Sequence, residues 1–369
     1  MMENFEGGNI NGILLLVDNP AFNLDKPYEL ELFGKPMKDW VSLSFKDSKV
    51  TEIPYDNSAD VAQTVKPYLD KESRFTVVLY SDTPLFQRKT LLEALKYADG
   101  HNLNVCRLTR GWVFNTEYLM SCEKVFGPKT YYFDEEDFLT ASDFKQLSLI
   151  SDLFRQRILS FHMKNGVRIT DPASAFIDGD VVIEKNVTIY QNNTIKGKTA
   201  IQSGAVLYPD NQIADAVIGQ NVTVTSSNLN SCKIGRDTTV GPYAYIRPDT
   251  VVGERCRIGD FVELKKAIIG DGSKVSHLAY VGDAEIGKNC NIGCGAVFVN
   301  YDGKNKFRTV AGDNVFVGSN SNIVAPVTLK DGSYIAAGST ITENVGGGLA
   351  IARSRQTNKP EWVPPQKIK

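Results

Sequence analysis

Histidine is almost missing from this chain: among 369 residues only His101, His162 and His277 occur. A zinc site that needs several imidazoles is therefore not expected. Cysteine is scarce and unpatterned. Cys106, Cys122, Cys232, Cys256, Cys290 and Cys294 form no C-x-x-C pair and no regular framework, which points to reduced thiols, mostly buried. Charge of either sign is not in excess. A net charge of −2 gives no reason to expect nucleic acid or a membrane as partner, although local basic positions still suit a phosphate. Long apolar runs are missing too. The opening MMENFEGGNINGILLLVD has acidic residues and then a brief apolar run, too short for a signal peptide or a membrane span. A cytoplasmic protein is expected, and its length predicts two domains rather than one.

What is present is a repeat. From about Asp178 the chain falls into six-residue units with an aliphatic residue at a fixed place: VVIEKN, VTIYQN, VIGQNV, KIGRDT, VVGERC, IIGDGS, AEIGKN, VFVGSN. Three such units close one triangular coil, aliphatic side chains fill its interior, and coils stack on their neighbours. Gly, Asn and Asp supply the backbone freedom that the corners need. The pattern predicts an all-β left-handed parallel β-helix. A β-sandwich would need turn signals every eight to twelve residues, a spacing not found here. YDGKNKFRT (Tyr301–Thr309) is too polar and too long for a coil face and should project as a loop. Beyond Thr342 the pattern stops, and GGGLAIARSRQTNKPEWVPPQKIK reads as a flexible arm.

The first part differs. GILLLVD and FTVVLYS suit buried parallel strands, and PLFQRKTLLEALKYADG a following helix. Ser142 to Lys164 reads as an amphipathic linking helix with Ser142 as N-cap. The predicted domains are an α/β domain over 1–141, a linking helix over 142–165, the β-helix over 166–345 and an arm over 346–369.

Charged groups on a coil face must look outward. Arg247, Lys265 and Lys306 fall in the stretch that holds the β-helix's sole histidine, His277. Each cation alone is an ordinary solvated residue; together they suit a phosphorylated substrate. A lone histidine is more often structural than catalytic. Among cations that would keep the imidazole neutral, His277 also suits a general base.

The stretches IRPDTVVG, GDFVELKKAIIGDGSKVSHLAYVGDAEIGKNCNIGCG, VNYDGKNKFRT, GDNVFVGSNSNIVAPV and LAIARSRQTNKPEW are long, ordered and rich in positions outside the repeat. Through them the chain, from about Val167 to Trp362, resembles the acetyltransferase half of the bifunctional N-acetylglucosamine-1-phosphate uridyltransferase/glucosamine-1-phosphate acetyltransferase family. The resemblance implies acetyl transfer from acetyl-CoA to an amino-sugar phosphate, by direct attack and without a covalent enzyme intermediate. It implies His277 as general base, Asn300 as the group orienting the amine, and Ser319 as the donor facing the oxyanion. Arg247, Lys265 and Lys306 would hold the phosphate, with Tyr280 and Asn291 positioning the substrate. Tyr301, Ser319, Ala337, Arg353 and the position of Cys294, where the family usually has Ala, would contact acetyl-CoA. No metal is expected for this step, and small molecules and two further copies in a homotrimer are the implied partners.

The first domain resembles the family's uridyltransferase half only in outline, through GKPM (Gly34–Met37) and SDTPL (Ser81–Leu85). The Gly-rich loop expected after the first strand, of the type LAAGxGTRM, is replaced by LVDNPAFNL (Leu16–Leu24), without Gly or Arg. Tyr28 follows Pro27 where the family has Lys. Asp82 matches one metal ligand, and the second aligns with Ser142. The expected reading is a degenerate, truncated nucleotidyltransferase-like domain of Rossmann type. Two other readings stay open: an enzyme that keeps both activities, and a non-catalytic sensor of a sugar phosphate or nucleotide.

Overall fold

A computed structural model describes residues 10–46, 48–125, 129–131 and 133–362. The first nine residues of the expected α/β domain and the last seven of the expected arm lie outside the described residues. The chain divides into two compact units, 1–160 and 161–369.

In the first unit INGILLLV forms the strand Ile10–Val17, flanked in parallel by Val50–Tyr55 and Phe75–Tyr80. Gly111–Asn115 joins Phe75–Tyr80 antiparallel, followed by Val105–Leu108 and Lys129–Thr130. Both sheet faces are covered, which is why the strands read as unbroken apolar runs. Leu14, Val77 and Leu79 pack under the helix Arg88–Gly100 on one side, while Ile13, Leu15 and Val78 enter a separate core on the other. The long helix runs Phe144–Lys164. Its N-cap is Asp143 rather than Ser142: the Asp143 carboxylate accepts from the Gln146 amide at 2.7 Å. A carboxylate there also meets the positive end of the helix dipole. Among the described residues no helix is long and apolar enough to cross a membrane.

The second unit is the left-handed parallel β-helix. Three parallel sheets run its length, and each coil visits them in the same order. The first face begins with Arg168–Ile169, the second with Phe176–Ile177 and the third with Val182–Ile183. Most strands are two or three residues long, with one side chain inward. On the third face these are Ile183, Ile201, Ile218, Ile234, Val252, Ile269, Ile286, Ala311 and Leu329, all buried. Each buried aliphatic contributes about 1.5–3 kcal/mol relative to exposure, so stability accumulates coil by coil. Asn186, Asn221, Asp237, Asn289 and Asn314 turn the corner between third and first faces in the left-handed conformation, as the sequence predicts for its polar corner residues.

One coil is longer. Asp283 and Asn300 contact one another at a separation of 17 residues, the ordinary coil length, whereas Lys288 meets Asp313 at 25. The extra residues are the predicted loop, closed at its base by the Phe307 amide donating to the Asn300 carbonyl at 2.8 Å and by a bridge between Tyr301 and Lys306. At the other end, the stretch read as an arm from residue 346 still contains a strand. Leu349–Ala350 pairs in parallel with Tyr334–Ile335, and Thr340 donates to the Ala352 carbonyl at 3.0 Å. The hexapeptide pattern misses this coil because three consecutive glycines, Gly346 to Gly348, turn the chain there without an aliphatic residue.

Candidate functional site

The outward side chains of the second face gather at its two edges. At the edge shared with the third face stand Arg247 and Lys265, at matching places on successive coils. Lys306 reaches them from the projecting loop. The Lys306 ammonium beside Lys265 holds the Lys265 amine below the ordinary lysine range; partial burial and Arg247 add to this, and Asp283 opposes it. Two amines packed so closely, with a guanidinium next to them, favour any ligand that brings negative charge. Arg247 is meanwhile paired with Glu263 at 2.8 Å and lies over the Tyr245 ring.

Tyr280 occupies the middle of the face, in register with Glu263. Its hydroxyl lies where a side chain on Gly282 would stand, so Gly282 is what lets the phenol lean toward the cation edge. Asn300 is buried, and its side-chain amide donates to the Asp283 carboxylate. It therefore belongs to the cation edge and fixes the base of the loop that carries Lys306.

The opposite edge, shared with the first face, holds His277. Its Nδ1 lies 2.5 Å from Asp260 Oδ1, one coil earlier, and the two residues are paired in the ladder. Each precedes a bulky corner residue in the left-handed conformation: Phe261 at φ 54° after Asp260 and Leu278 at φ 47° after His277. These tight corners throw both side chains outward, where they meet. The imidazole hydrogen bond holds the Asp260 carboxyl below its ordinary range. The sequence reading surrounds His277 with cations, but the charged group in contact with it is this carboxylate. The cations Arg247, Lys265 and Lys306 lie across the face.

Continuing the register past His277 gives Cys294, Ser319 and Ala337 on the next coils at the same corner. Backbone bonds follow that column: Asn320 donates to the Cys294 carbonyl and Gly338 to the Ser319 carbonyl, both at 2.8 Å. The Arg353 side chain passes 3.8 Å from where a side chain on Gly338 would begin. Ser319 is thus two coils from His277, with the exposed thiol of Cys294 between them. Asn291 is set apart on the first face, between Lys274 and Phe316. Tyr301 is set apart on the loop, its hydroxyl donating to the Gly303 carbonyl at 2.5 Å.

In the first unit both carboxylate oxygens of Asp82 are occupied by Arg110, at 3.1 and 2.6 Å, and the guanidinium lies over the Tyr80 ring. The Ala141 amide donates to the Asp82 carbonyl, so Ser142 is close in the backbone. Among the described residues no cluster of three or more His, Cys, Asp or Glu side chains could hold a metal ion.

Known proteins similar to this chain match it chiefly in the β-helix. Residues 228–325 match the model of the GMPPB C-terminal domain, and residues 309–343 that of the bacterial transferase hexapeptide (six repeats). The bifunctional protein GlmU of Clostridium acetobutylicum is 47% identical over 282 residues, 75% of this chain and 60% of the relative. That of Clostridium novyi is 52% identical over 225 residues, 61% of this chain and 49% of the relative. Over these segments the chain is similar to bifunctional GlmU proteins. It spans about half to three-fifths of the length of these GlmU relatives. A solved Arabidopsis UDP-N-acetylglucosamine acyltransferase also resembles this chain, with 18% identity, a TM-score of 0.33, and coverage of 49% of this chain and 70% of the other.

The sequence missed Asp260, Glu263 and Asp283, the carboxylates that touch His277, Arg247 and Asn300. A signal for two of them was available. Asp260 precedes His277, and Asp283 precedes Asn300, by 17 residues, one coil.

Proposed function

We propose that the chain is an acetyl-CoA-dependent N-acetyltransferase acting on glucosamine 1-phosphate or a close amino-sugar phosphate. The observation that carries this reading is the second face: a histidine held by a carboxylate at one edge, and a crowded pair of lysines with an arginine at the other. The identity to bifunctional GlmU proteins supports the same reaction.

The phosphate would sit among Arg247, Lys265 and Lys306, offsetting their mutual repulsion, with Tyr280 under the sugar. His277 would take a proton from the attacking amine. The nitrogen forms a bond to the thioester carbon, the carbon–sulfur bond breaks, and the proton leaves with the CoA sulfur. Such a base is worth about 10²–10⁴-fold in rate. Ser319 would stabilise the oxyanion, and acetyl-CoA would follow the corner column past Cys294, Ser319 and Ala337 toward Arg353. Asn291, on another face, and Tyr301, on the loop, fit this site best if neighbouring copies in a homotrimer bring their own surfaces to it. A cytoplasmic enzyme drawing on soluble acetyl-CoA is part of the proposal.

We further propose that the first unit does not transfer uridylyl groups. Its Asp82 is tied up by Arg110, and Leu16–Leu24 lacks a phosphate loop.

The test is free-thiol release from acetyl-CoA over a panel of amino-sugar phosphates. Glucosamine 1-phosphate should be turned over, and His277→Ala should lower kcat by about 10²–10⁴-fold with the fold intact. A His277→Ala variant with unchanged kcat would sink the assignment.

A further inference from the structure

We infer that Asp260 is a positioning residue for this reaction: through His277 Nδ1 it fixes which ring nitrogen faces the substrate and steadies the charge the ring acquires. The inference rests on the acetyl-transfer reading given above and adds a residue to it.

Three observations converge on Asp260. First, the contact is geometric. Oδ1 lies 2.5 Å from Nδ1, close enough for a charge-assisted hydrogen bond from the ring N–H to the carboxylate. Second, the contact is built into the coil. Asp260 and His277 are partners in the parallel ladder, and the Leu278 amide donates to the Asp260 carbonyl at 2.8 Å, so the backbone keeps the two side chains one coil apart. Third, both residues leave the ladder at the same left-handed corner, so their side chains splay outward together. A carboxylate can only accept, so Nδ1 must carry the proton. Nε2, on the far side of the ring from that bond, then carries the free lone pair.

The surroundings leave that role to Asp260. On its own strand His277 is accompanied by Lys274; on the preceding coil stand Arg257, which bears on Asp260, and Asp260 itself; on the following coil the matching corner residue is Cys294. Of these, Asp260 is the one with a bond to the ring. When Nε2 takes a proton the ring becomes cationic and the ion pair with Asp260 is complete, so the proton-transfer step gains the attraction without moving an atom. Both side chains are open to solvent, 54% for His277 and 38% for Asp260, which screens the gain. A contribution of about tenfold, a fraction of what the base itself supplies, is the expected scale.

The test combines turnover with a direct reading of the ring in the full chain. In wild type, ¹⁵N shifts of the imidazole, assigned with His277→Ala, should show neutral His277 protonated on Nδ1. In Asp260→Ala the Nε2–H form should grow in, and kcat should fall about tenfold with KM for the sugar phosphate unchanged. Asp260→Glu, which keeps the carboxylate, should recover part of the loss. An unchanged tautomer in Asp260→Ala overturns the inference, and so does unchanged kcat in an active enzyme. A tautomer shift in a protein with no acetyl transfer to any substrate supports the pairing and sinks the acetyl-transfer reading instead.

Discussion

At the scale of single residues, Lys265 shows most clearly what the cation edge favours. Its amine is held below the ordinary lysine range, first by Lys306 and then by partial burial. For a lysine, that sign means the charged form is disfavoured in the folded protein: the repulsion works against stability at pH values where both amines carry protons, and it fades as pH rises through the lowered value. An anion reverses the balance. Inorganic phosphate or a sugar phosphate should therefore raise the melting temperature, and its affinity should weaken as Lys265 loses its proton at alkaline pH. Isothermal titration across that range checks it. Lys265→Ala should remove most of the phosphate effect; undiminished binding would mean the anion sits elsewhere.

At the scale of elements, the site depends on two strands staying one coil apart. A methyl on Gly259 would strike the Ser276 carbonyl of the next coil, backbone that cannot swing aside. Gly259→Ala should cost about 1–3 kcal/mol in a urea midpoint measurement, and it should spread the strands bearing Asp260 and His277. These same elements show what was readable beforehand. The aliphatic positions of VVIEKN or AEIGKN announce the inward residue of each strand because a prism admits one side chain per short face. The loop of Tyr301–Thr309 announces itself by its polarity. The last coil did not, since Gly346 to Gly348 replace the aliphatic signal with backbone freedom. Asp143 displaced Ser142 as N-cap because either residue can cap, and only the fold decides which one enters the helix. Among site residues, His277 stands out as the sole histidine of the β-helix, and the cations as outward charges in the same stretch. Their carboxylate partners are legible only once separations are read modulo a coil, because contacts in a solenoid run between coils rather than along the chain.

At the scale of the whole molecule, the two units carry different expectations. With UTP, Mg²⁺ and N-acetylglucosamine 1-phosphate, the full chain should release no pyrophosphate above background. Clear release in a coupled phosphate assay would show that the Arg110–Asp82 pair opens and that the first unit keeps its chemistry. The β-helix, for its part, is a device that measures length. His277, Cys294, Ser319 and Ala337 are the graduations of one edge, and parallel strands set the interval at about 4.8 Å. On the proposed acetyl-transfer reading, a donor laid along that edge would be held at a whole number of steps from His277, its reach set by how many coils are stacked rather than by any one side chain. Adding or removing one complete coil above His277 would leave the core repeat intact and move the far end of the donor site by a full step. On that reading, the number of repeats would itself help to decide which acyl donor fits.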